Sequence, residues 1–124
     1  MQHLYTIPGD PISYAQAHFG PYHIYDNQKN IKLIAGIYLA QQHDDKPLFN
    51  APIRLDIAFF FQVPKRLIIN SLWYTHPPTV CNLTRFYTDI GKGILFTDER
   101  IIVELHATKR YAAQPYTQLL ITRL

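Results

Sequence analysis

Residues 51–63 read APIRLDIAFFFQV, and this stretch decides the fold class. Ile53, Leu55, Ile57, Phe59 and Phe61 alternate with Arg54, Asp56, Ala58, Phe60 and Gln62. Successive side chains of a strand point to opposite faces, so this pattern predicts a β-strand with one face on a core. Pro64-Lys65-Arg66 breaks it. Downstream, residues 67–75 (LIINSLWYT) suit either a strand or a covering segment. His76-Pro77-Pro78 is a rigid extended stretch, because a proline biases its predecessor away from helix. Residues 101–109 (IIVELHATK) alternate again, with Ile101, Val103, Leu105 and Ala107 on one face and Glu104, His106 and Thr108 on the other. Residues 116–123 (YTQLLITR) read as the last strand.

Upstream, residues 3–8 (HLYTIP) form a short first strand closed by Pro8-Gly9-Asp10-Pro11. Residues 12–27, with Gly20-Pro21 and the aromatics Tyr14, Phe19, Tyr22 and Tyr25, read as an ordered loop whose rings pack on the core. A helix is predicted over residues 28–43, capped by Asp26 or Asn27, with Ile31, Ile34, Ile37, Tyr38 and Gln41 as its apolar stripe. Gly36 weakens it slightly. A second helix is predicted over residues 83–90, capped by Asn82 and stopped by Gly91 and Gly93. Strands and two main helices in one short chain give an α+β fold. It is a single small domain over residues 1–124 with a mixed or antiparallel sheet.

Composition bounds the function. The chain has 124 residues, 48% hydrophobic and 17% charged, the balance of an ordinary globular domain. No apolar run approaches the ~20 residues of a membrane span. The opening MQHLYTIPGD lacks a basic start and an apolar stretch, so no signal peptide and a cytoplasmic location are expected. Cys81 is the single cysteine, which excludes an intrachain disulfide and a cysteine-based zinc site; it reads as a small buried residue. The net charge of +3 is unevenly spread. Residues 1–62 hold four Lys and Arg against five Asp, whereas residues 63–124 hold eight against four Asp and Glu. A basic half is able to face phosphate, though a solvated surface has the same composition.

The usual phosphate and nucleophile motifs are missing. Gly91-Lys92-Gly93 follows a helix instead of opening one, no Ser elbow is present, and the six histidines have no ligand spacing. The informative segment runs from Pro78 to Tyr111. Arg85 and Asp89 stand four apart on the second helix, the spacing of a surface ion pair. Asp98-Glu99 stand at a strand entrance, where adjacent acids are able to bracket a divalent cation.

This order of features resembles the RusA family of Holliday junction resolvases. The family pattern is Pro-Asp-x-Asp-Asn-Leu-x-Lys, an Asp four residues on, a Gly, and Asp-Asp before a hydrophobic strand. Here the segment reads Pro78-Thr79-Val80-Cys81-Asn82-Leu83-Thr84-Arg85, then Asp89, Gly93 and Asp98-Glu99. The likeness spans the chain: the opening strand with Gly-x-Pro looks like Thr6-Ile7-Pro8-Gly9-Asp10-Pro11, the early helix like residues 28–43, and a Lys and an aromatic after the penultimate strand like Lys109 and Tyr111.

The resemblance implies a dimeric, Mg²⁺-dependent nuclease acting on branched or junction DNA, with three carboxylates around the metal and no small-molecule cofactor. The first two carboxylate positions are Thr79 and Cys81 here, Asp98 remains of the trio, and Arg85 replaces the lysine. Asp98 and Arg85 are thus the expected catalytic residues, with Asp98 and also Asp89 and Glu99 as metal candidates and His76 as a possible neighbour. Lys65, Arg66, Arg85, Lys92, Lys109 and Arg110 are the expected DNA contacts. A Thr hydroxyl and a soft Cys thiol are poor ligands for Mg²⁺, so lost or impaired cleavage with retained junction binding is expected. Two other readings stay open: an active structure-selective nuclease with a rearranged metal site, and a homodimeric scaffold whose Tyr- and Phe-rich strands form the interface.

Overall fold

The computed structural model describes residues 2–15, 18–19, 24–25, 28–65 and 71–124. Its strands are β1 (Gln2–Pro8), β2 (His18–Phe19), β3 (Ile24–Tyr25), β4 (Ile53–Gln62), β5 (Ile102–Ala112) and β6 (Tyr116–Arg123). The helices are α1 (Lys29–His43) and α2 (Val80–Gly91), and a 3-10 turn spans Glu99–Ile101. No helix among the described residues is long and apolar enough to cross a membrane. The α+β expectation holds: four strands form one mixed sheet in the order β1-β6-β4-β5. β4 pairs antiparallel with β6 and parallel with β5, so it lies between the two strands that follow one another in sequence. β2 and β3 form a separate two-stranded ribbon within the stretch expected to be loop.

The alternation of β4 is realised as read. Ile53, Leu55, Ile57 and Phe59 are buried, with Leu119 and Ile121 of β6 and Tyr5 and Ile7 of β1 in the same layer. Both helices cover this face. α2 supplies Leu83, Phe86, Tyr87 and Ile90, a stripe at helical spacing that agrees with its strong amphipathic pattern. Tyr87 ties three elements: its hydroxyl accepts from the Ile12 amide at 3.0 Å and from the Thr117 hydroxyl at 3.1 Å.

α1 departs from its sequence reading. The expected stripe faces outward: Ile31, Ile34, Ile37 and Tyr38 are exposed, and so is Leu33. The inner face is instead Ala35, Gly36, Leu39 and His43. Close approach decides this. A Cβ on Gly36 would lie 3.1 Å from Ile94 Cδ1, so small residues let α1 settle against the segment after α2. The C-terminal turn then docks on the sheet edge. Gln42 exchanges hydrogen bonds of 2.7 Å with the amide and carbonyl of Thr6, and the Tyr5 hydroxyl bonds His43 Nδ1 at 2.7 Å. The two Gln42 bonds satisfy backbone groups that an edge strand leaves open.

Helix starts also differ. α2 begins three residues before the expected Leu83, because Thr79 caps it: the Thr79 hydroxyl accepts from the Asn82 amide at 3.2 Å. α1 follows Gln28, whose side chain makes no cap and binds the Ser13 carbonyl and Ala15 amide at 2.8 Å. The expected caps Asp26 and Asn27 lie outside the described residues.

Residues 71–74 cover part of the outer edge of β5. The Tyr74 amide donates to the Lys109 carbonyl at 3.1 Å and the Tyr111 amide to the Leu72 carbonyl at 2.8 Å. The register of β5 slips between Ile53↔Ile102 and Arg54↔Glu104. That bulge removes Val103 from the alternation and leaves it exposed, while Leu105 and Ala107 stay on the helix side.

Candidate functional site

The outer side of α2 and the first half of β5 bound a groove of about 400 Å³. From the helix, Cys81, Arg85 and Thr88 line it at spacings of four and three, one face of a helix. Ile102, Leu105 and Ala107 line it from the strand, and Glu99 from the 3-10 turn. Leu105 is 55% exposed, because α2 does not reach across the edge strand. The groove therefore has an apolar floor with one cation and one carboxylate at its rim.

The N-terminal end of the groove is held by Lys109. Its ammonium donates to the carbonyls of His76 and Pro78, both at 2.7 Å, and lies 5.4 Å from the centre of the Tyr74 ring. Tyr74 stacks on Phe61 with ring centres 3.8 Å apart. Pro77-Pro78 is a cis bond. Lys109 thus fixes the approach to α2, and both its carbonyl contacts are backbone atoms.

Arg85 is exposed, with its guanidinium 4.0 Å from the centre of the Tyr14 ring. The ion pair expected from its spacing to Asp89 does not form. Asp89 turns toward α1 and meets Lys32 at 3.4 Å, because packing of α1 beside α2 brings an ammonium to that side. Asp98 caps its own 3-10 turn: a carboxylate oxygen accepts from the Arg100 amide at 2.9 Å. That hydrogen bond, with the charges of Arg100 and Lys92, holds Asp98 below the usual carboxylate range.

The expected site residues are therefore distributed. Glu99, Arg85 and Cys81 share the groove; Asp98 caps the turn at its end; Asp89 opens on the α1 side with Lys32 and Ile90. Cys81 is exposed, not buried as its type suggested, because the outer face of α2 carries it. Of the expected DNA contacts, Lys65, just after β4, and Lys92, at the C-terminal end of α2, are exposed. Lys109 and Arg110 point to opposite faces of β5, and Arg110 lies over the Trp73 ring with its buried Nε unpartnered. Arg66 lies outside the described residues.

A divalent metal does not fit the donors at this place. Thr79 spends its hydroxyl on the cap, Cys81 offers a soft thiol, and the carboxylates left nearby are Asp98, one oxygen of which accepts from its own turn, and Glu99, too few hard ligands for Mg²⁺. Among the described residues no three His, Cys, Asp or Glu side chains are grouped to hold a metal ion. Glu99 is the carboxylate that sequence reasoning ranked too low. The signal for it is the turn itself, since an Asp that caps leaves the next residue to face outward.

No curated protein matches the chain. A family model described as endodeoxyribonuclease RusA matches residues 8–122, which takes in both helices, the groove, β4, β5 and all but the last residue of β6. With the match running over nearly the whole length, the chain belongs to the RusA endodeoxyribonuclease family.

Proposed function

We propose that this protein binds branched DNA of the Holliday junction type as a homodimer and has lost metal-dependent cleavage. One observation carries the reading: at the start of α2, the positions that hold two carboxylates in the resembled family are the capping Thr79 and, in the groove, the thiol of Cys81. A Mg²⁺ ion needs several hard oxygen ligands to neutralise a phosphate and activate water. Glu99 and Asp98 by themselves do not supply them. Binding survives this loss, because phosphate contacts need only cations. Arg85 in the groove and Lys92 and Arg100 at its end are exposed, and Arg85 offers a planar fork suited to phosphate.

The outward apolar face of α1 supports the dimer. Ile31, Leu33, Ile34, Ile37 and Tyr38 are each more than a third exposed on one helix, an unusual grouping for a surface that meets only water. A two-fold assembly also matches the symmetry of a four-way junction. The scaffold reading rests on this same face and differs in requiring no DNA.

Titration of labelled four-way junctions tests binding. Affinity is expected to fall steeply with salt and to exceed that for linear duplex. Equal affinity for junction and linear duplex overturns the junction reading, and absence of binding favours the scaffold. Incubation with Mg²⁺ or Mn²⁺ is expected to leave the strands intact. Cleavage that Glu99→Gln or Asp98→Asn abolishes would restore the active-nuclease reading.

A further inference from the structure

At the sheet end where β1 and β4 begin and β6 finishes, a cavity of about 530 Å³ opens between His3, His43, Lys46, Phe49, Asn50 and Arg123. Its position follows from register. On the helix side of the sheet, β1 carries His3, Tyr5 and Ile7, and β6 carries Arg123, Ile121 and Leu119. These rows are apolar inside the core and become basic at its margin. The end of α1 closes the cavity from above: His43 is 3% exposed, its Nδ1 bonded to the Tyr5 hydroxyl and its Nε2 to the Pro47 carbonyl at 3.2 Å. Phe49 meets the His3 ring edge-on with centres 5.2 Å apart.

The charge in this cavity is one-sided. Lys46 and Arg123 line it, and no ion pair or side-chain hydrogen bond engages either among the described residues. No carboxylate lines it; Asp44 and Asp45 precede Lys46 in the chain but are not part of its wall. Burial, and then the charge of Lys46, push the His3 imidazole below its ordinary value, so His3 stands as a neutral donor or acceptor beside the two cations. The Asn50 amide adds a further donor. An Arg fork, a Lys point charge and neutral polar groups in a partly enclosed space are the complement of a phosphate group.

The cavity also lies beside the groove. Ile102 and Arg123 both pair with Ile53, so they are two strand spacings apart, ~10 Å. Phe49 links the two places, since its amide donates to the Leu95 carbonyl and its carbonyl accepts from the Thr97 amide, next to the turn that carries Glu99. We propose that this cavity is a second phosphate site, which holds a backbone phosphate of a nucleic acid strand leaving the groove across the strand ends. The nucleic acid part rests on the DNA-binding function proposed above; the phosphate chemistry of the cavity does not.

Junction DNA titrated over a range of salt tests the site. In the Lys46→Gln/Arg123→Gln double variant the slope of log affinity against log salt is expected to fall by about two, near one for each cation lost. Each single variant is expected to show roughly half that change, which keeps the test decisive if the double variant does not fold. Lys46→Arg/Arg123→Lys is expected to retain the wild-type slope. An unchanged slope in folded variants overturns the proposal. If the wild-type protein binds no DNA at all, the DNA reading fails separately and inorganic phosphate becomes the probe. A phosphate-dependent shift of the His3 imidazole resonances, absent from the double variant, then assigns the cavity to free phosphate groups; no shift overturns it entirely.

Discussion

The two helices lie on the same sheet face, yet they use their apolar residues in opposite ways. α2 turns Leu83, Phe86, Tyr87 and Ile90 inward and shows the groove Cys81, Arg85 and Thr88. α1 turns Ala35, Gly36 and Leu39 inward and shows solvent Ile31, Leu33, Ile34, Ile37 and Tyr38. An apolar stripe therefore locates a helix face with something to bury without saying against what. Bulk favours the inside where the layer is open, as beneath α2. Where the helix packs tightly on a neighbouring side chain, as Gly36 does on Ile94, small residues face it and most of the bulky ones are left for another surface.

The sharpest way to break this comparison is to truncate the inner faces. Phe86→Ala in α2 is expected to cost about 3–5 kcal/mol, and Leu39→Ala in α1 about 2–5 kcal/mol, by chemical denaturation. If Leu33→Ala costs as much as Leu39→Ala in the monomer, the assigned orientation of α1 is wrong. Next in size is the anchor of the groove. Lys109→Met removes the donor to two carbonyls and is expected to cost ~1–3 kcal/mol and to raise proteolysis between residues 71 and 78. A variant as resistant as the wild type would show that the Pro77-Pro78 approach holds itself.

The start of α2 separates structure from chemistry at one position. Thr79→Ala is expected to cost about 1 kcal/mol through loss of the cap, whereas Thr79→Asp keeps an N-capping oxygen and is expected to be nearly neutral. Thr79→Asp/Cys81→Asp would then return one carboxylate to the groove and one to the start of α2 beside it without unfolding the helix, and Mn²⁺-dependent stabilisation in thermal melts is the expected readout.

High pH probes how α1 is joined to the sheet. Burial pushes the Tyr5 phenol up to about 12, and burial raises Tyr87 as well. Both groups hold their protons more tightly when folded, so their contribution is complete below the ordinary phenol value and lost as pH climbs from about 10 toward 12. Tyr5→Phe is expected to flatten this decline in part. The smallest effect on stability belongs to the outer face of α1. Ile34→Glu/Ile37→Glu is expected to change monomer unfolding by only ~0.5 kcal/mol per site while shifting sedimentation from dimer to monomer. No shift in assembly would remove the argument for a dimer on this face.

Much of the architecture was legible in local pattern. The expected strand at residues 51–63 is β4 (Ile53–Gln62), residues 116–123 are β6, the helix expected over residues 28–43 is α1, and the one expected over residues 83–90 lies within α2. The order of the strands was not legible, since nothing local tells that β4 enters between β5 and β6. The start of α2 was missed because Thr79 and Asn82 are both good caps, and only the formed hydrogen bond chooses. The candidate site was half legible. Arg85 and Glu99 came together in one groove, while Asp89 was drawn to Lys32 and Lys109 to two carbonyls.

The sequence by itself determined the types of the main strands and of both helices, the family and the replacement of two acids at positions 79 and 81, because each is written in residue identity and spacing along the chain. Tertiary structure decided which face of α1 meets the core, which of two adjacent acids lines the groove, and the gathering of His3, Lys46 and Arg123 at one sheet end. Those outcomes depend on strand order and helix approach, where residues far apart in the chain compete for the same space and the same partners.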